Sequence, residues 1–233
     1  MNSTPPLAAT RFGQPRIHLR ITDSTNRVAR ELASRGAPHG TLVTAEEQTA
    51  GRGRQGRAWS APRGVTLLAS WIVRPPNPLL SLSAGVAVAE TCGPAARIKW
   101  PNDVLIRQRK VAGILVEARP QEGWAVLGVG LNVALGLHQL PADLRERAGT
   151  LGLARADIEP TLARLTSSLQ RWLEAPVATV LEAVRERDAL NGQPVSWEGG
   201  TGRASGIDDQ GRLLVELSDG SRQKLDAGEV HLV

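Results

Sequence analysis

The chain has 233 residues, 41% of them hydrophobic and 22% charged, the proportions of a globular protein and not of a disordered chain, a collagen-like fibre or a coiled-coil rod. Its single cysteine, Cys92, excludes a disulfide framework and a Cys-rich zinc site, and no apolar run is long enough for a transmembrane helix. The charge is +5, from 28 Lys and Arg against 23 Asp and Glu; this invites a nucleic-acid reading, but all basic residues except Lys99, Lys110 and Lys224 are arginines, a bias that a coding preference explains equally well.

At about 150 residues per domain the length fits one large domain, or a large one with a small companion. Residues 1–15 are rich in Pro and Thr, lack the basic and apolar segments of a secretory signal, and are expected to be a loose tail. The cytoplasm is the expected location. Residues 17–22 predict a short strand. Asp23-Ser24 opens a helix with an apolar face at Val28, Ala29, Leu32 and Ala33, stopped by Gly36. A strand at 41–46 leads into a Gly- and Arg-rich loop over 49–62. The apolar run 65–73 predicts a buried strand, and 79–91, after the prolines of 75–78, an apolar core helix. Four strands at 97–100, 104–107, 111–118 and 124–133 are separated by gaps too short for helical crossovers, which predicts antiparallel hairpins. Helices are expected over 141–147, 160–174 and 177–189. Beyond Asn191-Gly192, short strands at 195–197, 203–207, 213–217 and 222–225 are joined by Gly- and Asp-rich turns. About 40 residues of this kind are too few to stand alone, so they should pack on the main body. The fold class is therefore α+β: a mixed, mostly antiparallel sheet flanked by helices over 16–189, and a small SH3-like β-barrel over 190–233.

Two segments carry chemistry. Gly51-Arg52-Gly53-Arg54-Gln55-Gly56-Arg57 formally contains Gly-x-Gly-x-x-Gly. The dinucleotide fingerprint must open a helix and be followed by an acid about 20 residues on, and neither holds here. What remains is a flexible backbone with three guanidinium forks suited to phosphate or carboxylate, closed by Trp59. The second is Lys99-Trp100-Pro101-Asn102-Asp103, followed by Lys110. If 104–107 and 111–117 form a hairpin, Asp103 and Lys110 sit on adjacent strands, a carboxylate beside an ammonium that suits metal binding or proton transfer near a phosphate. Gly113 inside a strand marks a close approach by a ligand or another backbone.

In order and spacing these segments resemble the biotin protein ligases. The resemblance rests on Asp23-Ser24-Thr25-Asn26, Gln48, the loop from Gly51 to Trp59, Lys99 to Asp103, the run from Arg109 to Glu117, and Gly128-Val129-Gly130-Leu131-Asn132. It implies a class II synthetase-like catalytic domain. It also implies an ATP-dependent ligase that converts biotin to biotinyl-5′-AMP with Mg²⁺, then transfers biotin to a lysine of the biotin carboxyl carrier protein of acetyl-CoA carboxylase. Carried over residue by residue, Ser24, Thr25, Asn26, Gln48, Gly51, Arg52, Gly53, Arg54, Lys110 and Gly113 would hold biotin. Arg52, Arg54, Arg57, Trp59, Lys99, Asn102 and Asn132 would hold ATP or the adenylate. Lys110, Asp103 and Arg52 would be catalytic, with Asp103 also the candidate Mg²⁺ ligand and the base toward the incoming lysine. Gln55 and Ala58 replace basic residues frequent in the family loop, and Arg203 lies two residues from Ser205, where some relatives place an Arg toward the nucleotide. With strands starting near residue 17, no DNA-binding winged helix is expected, nor any membrane partner; monomer and homodimer both stay open. The rivals are a lipoate or octanoate ligase, whose Arg-Arg, Gly-Gly-Gly and His-Asp pattern is absent, and a nucleic-acid module, which leaves Lys99 to Asp103 unexplained and has one Phe and no Tyr for stacking.

Overall fold

The computed structural model describes residues 11–226 and 228–233, so most of the expected N-terminal tail lies outside the described residues. Residues 11–15 are anchored instead of loose. Phe12 is buried against the His39 ring, 5.3 Å between centroids, and Gly13 N donates to Gly40 O at 2.9 Å. The one phenylalanine gains more by burial than the segment loses in freedom.

Seven strands form the main sheet: β1 (Arg16–Leu19), β2 (Leu42–Ala45), β3 (Thr66–Val73), β4 (Ala96–Lys99), β5 (Asp103–Ile106), β6 (Arg109–Arg119) and β7 (Trp124–Asn132), in the spatial order β1-β2-β3-β7-β6-β5-β4. Only β1–β2 is parallel; the hairpins expected from β4 to β7 are all antiparallel. Every residue of β3 is buried, because α1 (Thr25–Ser34) covers one face of the sheet, while on the other α2 (Leu80–Cys92) lies against β4, β5 and β6 and α4 (Ile158–Glu174) reaches β3. Ala29 and Ala33 of α1 pack on Val43, Ile72 and Val126. The largely apolar α2, buried from Leu82 to Ala89, packs on the sheet and on the helices α4 and α5 (Val177–Glu186).

Several expected boundaries move. β1 is shorter than 17–22, with Thr22 forming only an isolated bridge to Gln48. The helix expected over 141–147 is one short turn, α3 (Ala142–Arg145). The last helix ends at Glu186 and not at 189, because Ile98 N donates to Arg187 O at 2.7 Å and Ala189 N to Ile98 O at 2.9 Å. The edge of β4 recruits these residues as sheet partners and takes them from the helix.

The C-terminal unit is a five-stranded antiparallel sheet, β8 (Pro194–Trp197), β9 (Gly200–Ile207), β10 (Leu213–Glu216), β11 (Arg222–Leu225) and the additional β12 (His231–Leu232), in the order β11-β10-β9-β8-β12. It does pack on the main body. Val195, Ala204, Leu213 and Val215 share one apolar cluster with Trp71, Ile98 and Leu165, and Trp100 Nε1 donates to Gly211 O at 3.0 Å.

Candidate active site

Strand register builds the floor of a cleft. Lys99 pairs with Asp103, Asp103 with Gly113, Gly113 with Gly130, and Gly130 with Leu68. Directly paired residues point to the same side of a sheet, so this row crosses five strands on one face. Its middle is two glycines, and the Trp59 indole lies across them. A Cβ on Gly130 would stand 2.5 Å from Trp59 Cε2, and one on Gly113 3.0 Å from Trp59 Cζ3. Trp59 Nε1 is buried there with no hydrogen-bond partner, so a ligand acceptor would find a donor waiting.

A bulge sets the position of Lys110. The β5–β6 register shifts between Val104 and Leu105, and the consecutive Val111 and Ala112 are both fully buried. The extra residue turns Lys110 onto the face of Gly113, as bulges beside binding sites do. Lys110 Nζ then meets Asp103 Oδ1 at 2.7 Å and lies 5.7 Å from the centroid of the Trp59 ring. Lys99 lines the same cleft. Burial pushes its ammonium below the ordinary lysine range; Asp103 and Glu229 oppose this, and Lys110 and Arg57 add to it.

The arginine loop is a closed hairpin. Arg52 bridges Ala58, Trp59 N donates to Gly51 O at 2.9 Å, and Gly53 N to Arg57 O at 2.6 Å. A 3₁₀ turn over Arg54–Gly56 replaces the helix that a dinucleotide fingerprint would require, with Gln55 left-handed at φ 52°. Arg54 Nη1 donates to Asn102 Oδ1 at 3.0 Å, and Asn102 is held by β6 through Ile114 N to its carbonyl at 2.9 Å and its own Nδ2 to Ile114 O at 3.0 Å. Arg57 pairs with Glu229 of the C-terminal unit.

The opposite wall is polar. Thr25 N and Oγ1 both lie on Gln48 Oε1, at 2.8 and 3.0 Å, beside Ser24 at the mouth of α1. Ser24, Thr25, Asn26, Gln48, Arg52, Gly53, Arg54, Arg57, Trp59, Lys99, Asn102, Asp103, Lys110 and Gly113 therefore converge on one cleft. Two expected residues do not line it. Gly51 lies beneath, where a Cβ would strike the Trp59 carbonyl. Asn132, expected near the nucleotide, instead donates to Gly149 O at 2.8 Å and ties off the end of β7. Arg203 is also turned away, donating to Gly192 O; the C-terminal unit reaches the cleft through Gly228, Glu229 and Val230. Sequence reasoning missed those three, which carry no motif. It also assigned no role to Ser70, Gly128 and Glu117, although the register of β6 and β7 on β3 would have brought them to the Thr25 wall.

Mg²⁺ fits this donor set only as part of a nucleotide. Among the described residues no three His, Cys, Asp or Glu side chains cluster, and the Asp103 carboxylate is engaged by Lys110. One paired carboxylate does not make a metal cage, whereas Mg²⁺ carried on phosphates needs few protein ligands.

Residues 18–133 match the biotin/lipoate A/B protein ligase family, and residues 192–233 match the biotin protein ligase C terminal domain. A biotin–[acetyl-CoA-carboxylase] ligase of Mycobacterium tuberculosis is 37% identical, with 90% of this chain and 85% of that protein aligned. The bifunctional ligase/repressor BirA of Bacillus subtilis is 34% identical over 95% of this chain and 75% of its own length. Among solved structures, the biotin protein ligase of Aquifex aeolicus in complex with biotin and ATP superposes with a TM-score of 0.76 at 28% identity, covering 94% of this chain and 100% of that one. The chain belongs to the biotin protein ligase family.

Proposed function

We propose that the protein activates biotin with ATP and transfers it to a lysine of the biotin carboxyl carrier domain of acetyl-CoA carboxylase. The observation that carries this reading is the row Lys99–Asp103–Gly113–Gly130 with the arginine hairpin above it. It puts five cationic side chains, Arg52, Arg54, Arg57, Lys99 and Lys110, around a flat floor next to a polar wall.

The reaction needs this arrangement. A carboxylate is a poor electrophile, so AMP is installed first. A biotin carboxylate oxygen bonds to the α-phosphorus of ATP, and the bond to the pyrophosphate oxygen breaks. Two anions must approach, and preorganised cations offset their repulsion. ATP would arrive as its Mg²⁺ complex, with Asp103 the candidate carboxylate should that ion need a protein ligand. Lys110 bears on the carboxylate and the α-phosphate, Arg52 and Arg54 on the phosphates, and the Trp59 indole and Asn102 flank the adenylate. Thr25, Gln48 and Ser24 receive the polar ring of biotin. The glycine floor lets the ligand approach the sheet. The arginine hairpin and the segment around Glu229 shield the mixed anhydride from water. In the second step the acceptor amine attacks the anhydride carbonyl, an amide forms and AMP leaves. Asp103 takes the amine's proton.

In the main sheet the β4 edge is covered by residues 187–189, and β1 is the other edge. That edge suits strand addition by a carrier domain or a second copy of the chain. No helix among the described residues is long and apolar enough to cross a membrane, and a cytoplasmic reaction is part of the proposal. Incubation with biotin, MgATP and a purified carrier domain should add one biotinyl group to a single lysine, seen by mass spectrometry. An unmodified carrier would contradict the assignment.

A further inference from the structure

Glu117 ends the β6 motif, yet the chemistry above gives it no task. It stands behind the Thr25 wall, and the hydrogen bonds leading to it have a definite proton count. Arg30 Nη1 pairs with Glu117 Oε1 at 3.1 Å, and Asn26 Nδ2 donates to Glu117 Oε2 at 2.8 Å. An ionised carboxylate only accepts, so the Asn26 amide is fixed with Nδ2 toward Glu117 and Oδ1 toward Ser70. At the other end Thr25 N–H donates to Gln48 Oε1, which fixes the Gln48 amide.

Between these two acceptor oxygens run three contacts in line. Asn26 Oδ1 to Ser70 Oγ is 2.7 Å, Ser70 Oγ to Thr25 Oγ1 is 2.8 Å, and Thr25 Oγ1 to Gln48 Oε1 is 3.0 Å. Only the two hydroxyls supply protons for the three contacts. The ladder is one proton short, and the shortage is buried: Ser70 is 0% exposed, Thr25 and Asn26 each 4%. Gly128 keeps the ladder in place, since a Cβ there would overlap Asn26 Oδ1.

We propose that Glu117 is a positioning residue that holds this wall short of a proton and so makes it an acceptor of ligand N–H groups. The proposal rests on the biotin reading above: a ureido ring brings N–H donors, whereas the dithiolane of lipoate brings none. Glu117 acts through Asn26, Ser70 and Thr25 and touches no substrate.

The Glu117→Gln variant tests the idea with almost no change of shape. Arg30 is a donor, so it keeps the Gln carbonyl oxygen and leaves the NH₂ facing Asn26. Asn26 then flips and donates to Ser70, Ser70 donates to Thr25, and Thr25 to Gln48. All three contacts gain a proton and the wall no longer asks for one. Measured by ATP–pyrophosphate exchange, the KM for biotin should rise about tenfold, the effect of one lost hydrogen bond. The KM for ATP should stay within about twofold and the melting temperature should not fall. Arg30→Gln leaves the carboxylate in place as an acceptor and should keep the biotin KM near wild type. An unchanged biotin KM in Glu117→Gln, with an active wild type, overturns the proposal alone. So does a fall in melting temperature with both KM values raised, or an equal effect of Arg30→Gln. A wild type without biotin-dependent exchange overturns the biotin reading itself, and the proposal with it.

Discussion

Lys110 Nζ sits 2.7 Å from Asp103 Oδ1, brought there by a bulge that turns Lys110 onto the glycine face of the sheet. In the mechanism above the two groups part company: Lys110 serves the anionic first step and Asp103 the proton of the second. Asp103→Asn keeps the shape and removes the base. General-base catalysis contributes on the order of 10²-fold or more, so single-turnover transfer from preformed adenylate should fall by about that factor. Biotin-dependent pyrophosphate exchange should fall much less. Equal loss in both half-reactions would refute the division of roles.

Gly128→Ala tests the packing behind the polar wall. The new methyl would overlap Asn26 Oδ1, which is held by Ser70 and Glu117 and has nowhere to move. Overpacking of this kind costs roughly 1–3 kcal/mol, a drop of about 2–4 °C in Tm for each kcal/mol in a chain of this size. Gly130→Ala meets the Trp59 ring, which sits on a hairpin and can swing aside, so its Tm should fall less. Calorimetry on the two variants compares them directly.

Trp100 links the two units. Its Nε1 donates to Gly211 O at 3.0 Å, and the ring is buried. Trp100→Phe leaves that carbonyl unpaired, at a cost of about 1–3 kcal/mol. The Tm should fall and amide exchange in β9 and β10 should rise, because the C-terminal sheet is too small to hold without the main body. Unchanged exchange there would mean that the apolar contacts alone hold it.

Cys92, the one thiol, lies half-buried at the end of α2. Burial pushes it up to about 12, with Arg164 opposing. The thiolate is the reactive form, so at about pH 8 an alkylating reagent should label the native protein far more slowly than the denatured one. Rapid native labelling would contradict the packing of the α2 C-terminus.

Much of this was legible in the sequence. The apolar run 65–73 pointed to a buried strand, and the short gaps between the four strands from 97 to 133 pointed to antiparallel hairpins. Of the two floor glycines, Gly113 was visible as an interruption in a strand, while Gly130 stood only inside a family motif. What was hidden depends on tertiary register. Nothing local says that Val111 is the bulge residue, yet that one residue decides which way Lys110 faces. Asn132 lies in a family motif but serves the end of β7, because a loop at Gly149 returns to bond with it. Residues 187–189 read as helix by pattern and were captured by a sheet edge more than 80 positions earlier in the chain. The Glu229 segment has no motif, and only the docking of the C-terminal sheet brings it to Arg57.

The central claim is that this cleft makes biotinyl-5′-AMP. The direct measurement is ATP–pyrophosphate exchange with purified protein and MgATP, run with biotin, with lipoate and with neither. The account predicts exchange that requires biotin and stays at background with lipoate. Exchange driven by lipoate, or none with either acid, would contradict it.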